Sequence, residues 1–357
     1  MLSEYRKNLD RTMAWIKKSR RPAGGSAAYY SLLTSWSKAY PETTGYLIPT
    51  VIDYSELTGD PLWRDLAGEF GEWLLSVQMD NGAWTAGLHP TRDSRPSVFN
   101  TAQILLGITR LFREYEESRW AESADRAVNW LASKTDDNGL WLSGHYNGFN
   151  PTYYTRAAWP LLDAAILLQN SAARDQALKA LDTLAGRLQP DGTFSLWGFK
   201  KGEPAFTHTI AYTIRGLMES SFILDDWERY GRKTEQSLER FYHIAERNRG
   251  RLDGSYGPGW RGRKNYTCLT GNLQISLCLM RLYDYEKDLR LLNAASKLIE
   301  YVIRYQKRRF AIPVLKGSLA GSSPLWGNYM AFRYPNWAAK FYADALMKFI
   351  RTSEVTQ

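Results

Sequence analysis

A short turn phrase recurs along the chain and constrains the fold more than any other feature. It reads Gln78-Met-Asp-Asn-Gly82-Ala-Trp84, Asp136-Asp-Asn-Gly139-Leu-Trp141, Gln189-Pro-Asp-Gly192-Thr-Phe194 and Arg251-Leu-Asp-Gly254-Ser-Tyr256. Successive glycines are 57, 53 and 62 residues apart, and Gly25 lies another 57 before Gly82. Self-similarity at such a period marks a repeat architecture in which each unit buries its apolar face on its neighbours.

Each phrase follows an amphipathic segment, such as Pro61 to Val77 or Ala121 to Ser133. Asn-Gly or Asp-Gly predicts a helix stop there, because glycine takes positive φ at little cost. The segments Tyr46 to Thr58, Asn100 to Tyr115, Arg156 to Gln169, His208 to Leu224 and Thr270 to Tyr285 are more apolar and suit inner positions. Two helices per period make a helical hairpin, giving five hairpins with one helix left at each end. The last segment, Asn336 to Arg351, reads as an inner helix, and Glu4 to Lys18 with the turn Arg20 to Gly25 reads as an outer one. Pairing them supplies a sixth hairpin. The expected fold is an all-α (α/α)6 toroid over residues 1–357, one domain closed by its N- and C-terminal helices. The 357 residues exceed the usual single-domain size, but a closed array shares one continuous core and no segment reads as a linker.

Met1 to Arg21 holds no apolar h-region, and no apolar run approaches the roughly 18 residues that span a bilayer, so neither signal peptide nor membrane span is expected. Cys268 and Cys278 are too few for a disulfide framework, which points to the cytoplasm. The formal charge of +9 would suit nucleic acid, an anionic membrane face or an acidic glycan. Its densest groups (Lys17, Lys18, Arg20 and Arg21; Arg261, Arg263 and Lys264; Lys307, Arg308 and Arg309) are dispersed and belong to no nucleic-acid module, so no nucleic-acid partner is expected. No nucleotide-binding loop, metal motif, or flavin or nicotinamide fingerprint is present, and no cofactor is expected.

The hairpins and their turns resemble the six-hairpin superfamily of α/α toroids, which includes glycosidases, unsaturated uronyl hydrolases, sugar 2-epimerases and polysaccharide lyases. The Gln-x-x-Asp-Gly-x-Trp-like turns also resemble those of terpene cyclase and prenyltransferase toroids. The resemblance covers nearly the whole chain and implies the fold and a carbohydrate groove, while leaving the reaction open. Terpene chemistry lacks its motifs here: Asp136-Asp137 stands alone in a turn, and no Asp, Cys and His set has zinc spacing.

In such a ring the long loops that lead into the inner helices gather at one mouth. They carry Trp84 and His89, then Trp141, His145 and Tyr146, then Phe194, Trp197 and Phe199, then Tyr256 and Trp260, and finally Trp326 and Tyr329. Sugar faces stack on such rings. Repetition of Trp84, Trp141 and Phe194 favours packing, whereas Trp197, Trp260 and Trp326 fall outside the phrase and are expected contacts, together with His145. Glu42, Asn100, Arg156, His208, Asn272 and Asn336 stand at or near the starts of inner helices one to six and predict a polar funnel. Asn100 and Asn336 would serve equally as caps. Tyr46, Tyr154 and Lys340 complete the expected contacts. On the fourth inner helix, His208, Tyr212, Arg215 and Glu219 share one face, as a functional stripe or a structural network in which Glu219 pairs Arg215.

A glycosidase needs two carboxylates roughly 5 to 10 Å apart. Glu42 is the clear candidate, with Asp53, Asp163 or Asp344 deeper, or Asp191 or Asp253 in turns, as a second. Elimination or epimerisation at a uronic acid instead needs the sugar carboxylate neutralised and a proton taken by His or Tyr. Asn100, Arg156, His208 and Tyr212 resemble in type the sets of toroidal polysaccharide lyases, though not in local motif. The expected protein is thus a carbohydrate-active enzyme on a uronate-containing oligo- or polysaccharide, or on a glycan intermediate. Tyr212 and His208 would be base and acid, Arg156 and Asn100 would bind the carboxylate, and Glu42 would orient the sugar or act as an acid. A hydrolase with Glu42 as general acid and a non-catalytic glycan-binding protein are the alternatives.

Overall fold

The computed structural model describes residues 1–91, 95–307 and 312–356, so Arg308 and Arg309 of the third basic group lie outside the described residues. Its α-helices are α1 (Leu2–Lys18), α2 (Pro41–Thr58), α3 (Leu62–Ser76), α4 (Val98–Tyr115), α5 (Ser118–Ser133), α6 (Thr155–Leu167) and α7 (Ser171–Ala185). There follow α8 (Thr207–Leu224), the single turn α9 (Trp227–Tyr230), α10 (Arg232–Arg247), α11 (Leu269–Glu286), α12 (Leu289–Ile303) and α13 (Asn336–Thr356). Helices α2, α4, α6, α8, α11 and α13 each pack on the next, and α13 packs on α2, closing an inner ring. Outer helices α3, α5, α7, α10 and α12 back them, and α1 backs α13, so the expected (α/α)6 toroid and its terminal closure both hold.

Burial explains which helix goes where. Outer α10 buries only Thr234, Ser237, Leu238, Phe241 and Ala245, one stripe of an otherwise charged helix, whereas inner α11 is buried without interruption from Leu269 to Met280. An amphipathic helix covers one face and a helix apolar all round must be enclosed. Inner helix α2 begins at Pro41, earlier than the sequence periodicity suggests. Proline at the first helical position suits a start there, since its missing N–H would have no intrahelical partner.

Turn glycines lock each hairpin onto the next outer helix. Gly82, Gly139 and Gly192 have φ of +88°, +75° and +80°. A Cβ would fall 2.4 Å from the Arg126 carbonyl of α5, 2.3 Å from the Ala180 nitrogen of α7 and 2.8 Å from Gln236 Cγ of α10, respectively. The fourth phrase departs from this scheme. Gly254 does not occupy the left-handed region, and its constraint is the Tyr266 ring, 2.1 Å from where a Cβ would lie. The corresponding seat is Gly250, with φ +81° and a Cβ position 2.0 Å from the Lys297 carbonyl of α12. Gly317, with φ +90°, presses equally on the Arg11 carbonyl of α1, while Gly24 and Gly25 press on Trp73 of α3. The six seats therefore run around the whole outer layer.

Trp84 and Trp141 are buried and donate Nε1–H to the carbonyls of Leu74 (2.9 Å) and Leu131 (3.1 Å), in the last turns of α3 and α5. Each adds a second donor to a helix-end carbonyl that the N–H of Val77 (3.3 Å) or Lys134 (3.4 Å) also reaches. Phe194 is also buried. The packing reading of this repeated aromatic holds.

Short antiparallel strands stitch the loops at one rim. β1 (Tyr29–Ser31) pairs with β2 (Ser35–Trp36) and with β7 (Arg333–Pro335); β3 (Ala205–Phe206) pairs with β4 (Ser255–Tyr256), and β5 (Thr267–Cys268) with β6 (Ser322–Ser323). The β1–β7 pairing, with Tyr30 opposite Tyr334, joins the two ends of the chain. At the opposite end ion pairs bridge five of the six inner junctions. Arg110 and Arg351 reach Glu56, Arg113 reaches Asp163 (2.9 Å), Arg281 reaches Glu219 (3.1 Å) and Lys348 reaches Asp284 (2.5 Å). At the α6–α8 junction Arg215 lies 6.0 Å from the Trp159 ring instead. Among the described residues no helix is long and apolar enough to cross a membrane.

Candidate active site

Glu42 sits in the first turn of α2, at the rim where the inner helices begin. Tyr40 donates its phenol proton to Glu42 Oε2 at 2.6 Å, and Asn100 Nδ2 donates to Tyr40 Oη at 3.4 Å and to the Thr85 carbonyl at 3.2 Å. The cap of α4 is Ser97, whose hydroxyl accepts from the Asn100 N–H, which leaves the Asn100 side chain for the rim. Burial pushes the Glu42 carboxyl up to about 7, against the opposing pull of the Tyr40 hydrogen bond and of Arg156. This is the range in which a carboxyl both holds and releases a proton at neutral pH.

Arg156, in the first turn of α6, is 4% exposed. Its Nε donates to Gln103 Oε1 at 3.0 Å, and its guanidinium lies 4.8 Å from the Trp159 ring and 5.4 Å from the Tyr212 ring. Among the described residues it forms no ion pair. Burial lowers it to about 10, so it stays cationic at neutral pH. A buried cation without a carboxylate is costly, and a ligand anion would relieve that cost.

His208 and Tyr212 do lie together on the inward face of α8, their rings 5.5 Å apart. Tyr329, at 4.3 Å from the His208 ring, closes over it with Phe199 and Phe206, leaving His208 2% and Tyr212 8% exposed. His208 Nδ1 is 3.7 Å from Cys268 Sγ. Burial drives the imidazole down to about 3, so it is neutral and weakly basic. Burial, with Glu42 adding to it, raises the Tyr212 phenol above its ordinary value, so it is a proton donor. Sequence reasoning gave both proton roles to these two residues, and the Glu42 carboxyl near neutrality adds a third titratable group close enough to Tyr212 to raise its phenol.

The remaining expected residues divide by depth. Tyr46 faces Phe341 at 6.3 Å, and its hydroxyl lies 3.4 Å from Thr43 Oγ1. Tyr154 is enclosed between Trp141 and Phe99. Asn272 and Asn336 are fully buried, Asn272 donating to the Gly250 carbonyl (2.6 Å) and Asn336 to Ser26 Oγ (2.7 Å), so both hold loops. Trp197 and Trp260 pack edge to face at 5.7 Å, with Trp260 Nε1 bonded to the Asp191 carbonyl, and form wall; Trp326 is 68% exposed on a rim loop. His145 bonds the Trp141 carbonyl within its own loop. Arg215 and Lys340 lie deeper, paired with Glu219 and Asp344.

The candidates for a second carboxylate are all engaged elsewhere. Asp53 pairs with Arg110, Asp163 with Arg113 and Asp344 with Lys340, while Asp191 accepts from Thr193 in its turn and Asp253 pairs with Arg251. Tyr40, Gln103 and Gln274, which neighbours Tyr212, went unrecognised in the sequence. The available signal was weak: Gln103 and Gln274 are polar positions in the first two turns of otherwise apolar inner helices. Among the described residues no group of three or more His, Cys, Asp or Glu could hold a metal ion.

No family model and no curated protein matches the chain by sequence. Solved structures match its fold. An unsaturated glucuronyl hydrolase specific for heparin aligns over 98% of both chains with a TM-score of 0.76 at 14% identity. The cellobiose 2-epimerase from Bacillus thermoamylovorans aligns over 98% of this chain and 99% of its own, with a TM-score of 0.76 at 12% identity. A D-mannose isomerase aligns over 98% of both chains with a TM-score of 0.74 at 13% identity. At these identities the likeness establishes the toroid and leaves the chemistry to the site.

Proposed function

We propose that the chain is an enzyme that moves a proton on an acidic, uronate-containing oligosaccharide, by elimination or epimerisation in preference to hydrolysis. The observation that carries this is a carboxyl poised near neutrality, Glu42, at a rim whose neighbouring buried cation, Arg156, forms no ion pair among the described residues. In this reading Arg156 neutralises the sugar carboxylate and so acidifies the adjacent C–H. The Glu42 carboxylate takes that proton. Tyr212 gives its phenol proton to the departing glycosidic oxygen in an elimination, as the carbon–carbon double bond forms, or to the opposite face of the carbon in an epimerisation. Asn100 holds Tyr40 against Glu42. Hydrolysis fits less well because each candidate second carboxylate is engaged away from Glu42. The similarity to sugar-processing toroids supports a carbohydrate substrate. We take the ring, residues 1–357, as one catalytic domain of the cytoplasm.

The test is incubation with a panel of acidic and neutral oligosaccharides, following ultraviolet absorbance of an unsaturated uronate, new reducing ends and, by NMR, epimer ratios. Absorbance or epimer exchange that disappears in Glu42→Gln and Tyr212→Phe is expected. Reducing ends without either would overturn the reading in favour of hydrolysis, and binding with no chemical change would reduce the protein to a glycan binder.

A further inference from the structure

Beneath the reactive mouth lies a chamber of about 420 Å³ among the inner helices, with Arg113, Lys348 and Arg351 at the end where those helices finish. Eight basic and four acidic side chains line it. Many of these cations simply clasp neighbouring helices, and cations also complement the negative ends of helices. The balance fails at the inner wall. There Arg156, Arg215, Arg281, Lys340 and Lys348 converge from α6, α8, α11 and α13, and Glu219, Asp344 and Asp284 are the carboxylates that pair with them among the described residues. Glu219 is shared by Arg215 (2.5 Å) and Arg281 (3.1 Å), Asp284 by Arg281 (3.3 Å) and Lys348 (2.5 Å), Asp344 is taken by Lys340, and Arg156 has no partner ion among the described residues. Arg156 and Arg215 flank the Trp159 ring at 4.8 and 6.0 Å, and Lys340 and Arg156 flank the Phe341 ring at 4.6 and 5.9 Å. Five positive charges against three negative ones leave an excess of two along this wall.

We infer that this chamber is a binding site for a tetrahedral dianion, phosphate or sulfate, free or as an ester, held by Arg215 and Lys340 beneath Arg156. A dianion cancels the local excess, and guanidinium and ammonium groups at one wall supply charge-assisted hydrogen bonds to its oxygens. The far end admits it: Arg113 and Arg351, at the outer edge of the chamber, have side chains 43% and 41% exposed. The site shares Arg156 with the reaction proposed above, but its test needs no turnover.

Calorimetric titration of the purified protein with inorganic phosphate, sulfate and a sugar phosphate, against chloride at equal ionic strength, should give one saturable site. Affinity should fall at least tenfold in Arg215→Gln and in Lys340→Met, and stay within twofold in Arg290→Gln on the outer surface. Tighter binding of the ester assigns the natural ligand to a phosphorylated sugar, and tighter binding of the inorganic ion to a free anion; either supports the site. Wild-type crystals soaked in tungstate give a check that no unfolded variant can obscure, with an anomalous peak expected between Arg215 and Lys340. Absence of saturable binding, wild-type affinity in both chamber variants, or a peak only elsewhere would overturn the inference.

Discussion

Glu42 owes its chemistry to the place of one carboxyl in one helix turn. Its folded pKa of about 7 lies above the ordinary 4.5, so the stability linked to its protonation is fully present below about 4.5 and is lost as pH rises through about 7. Glu42→Gln can still accept the Tyr40 proton but no longer titrates. Its melting temperature should therefore gain on wild type between pH 5 and pH 8, by the equivalent of about 2 kcal/mol, and an unchanged difference would refute the assignment. The same substitution should lower kcat by about 10²- to 10⁴-fold. His208 has the opposite sign. Its folded value of about 3 lies below the ordinary 6.5, so its contribution is complete above 6.5 and is lost as pH falls toward 3. His208→Phe should flatten the loss of stability between pH 6.5 and 4 in calorimetric scans. None of this was legible from residue types, because both shifts come chiefly from burial.

Helices and turns were far more legible than the states of these side chains. Apolar stripes sorted inner helices from outer ones, and Asn-Gly and Asp-Gly marked three of the hairpin exits correctly. The fourth phrase misled because Asp-Gly at 253–254 copies the composition of the turn, while the backbone seat is Gly250, whose neighbour in space is α12. Gly250→Ala and Gly317→Ala each combine positive φ with a Cβ driven onto a carbonyl oxygen, and should cost more than about 2 kcal/mol in urea denaturation. Gly59→Ala shares the positive φ but meets open space, and should cost only about 1 kcal/mol. Equal costs would show that dihedral strain alone governs these turns. Trp84→Phe keeps most of the ring packing but removes one of the two donors of the Leu74 carbonyl, the Val77 N–H remaining; about 1 kcal/mol of destabilisation is expected from the same titration.

Closure is a property of the entire molecule. Helix α1 buries Tyr5, Leu9, Met13, Trp15 and Ile16, backs α13 and receives the Gly317 seat, so removing residues 1–18 uncovers the last inner helix and breaks the outer circuit. Each such apolar side chain contributes about 1.5 to 3 kcal/mol on burial, and the sum is comparable with the net stability of a whole domain. The truncated chain should lose the sharp calorimetric transition of the full one. An undiminished transition would mean that five hairpins hold the fold without ring closure.

The periodicity of apolar residues and turn glycines was enough by itself to determine six hairpins, their order and the partnership of the chain ends, because every repeat must bury the same kind of face. It also brought His208, Tyr212, Arg156 and Glu42 to the inner helix starts. Only the tertiary structure decided what those residues are: a phenol that holds its proton, a neutral imidazole, a cation with no partner ion among the described residues and a carboxyl near neutrality. Those states depend on which aromatic rings close over the mouth and on where neighbouring charges come to rest. Distances between separate helices set them, and no spacing along one helix encodes such distances.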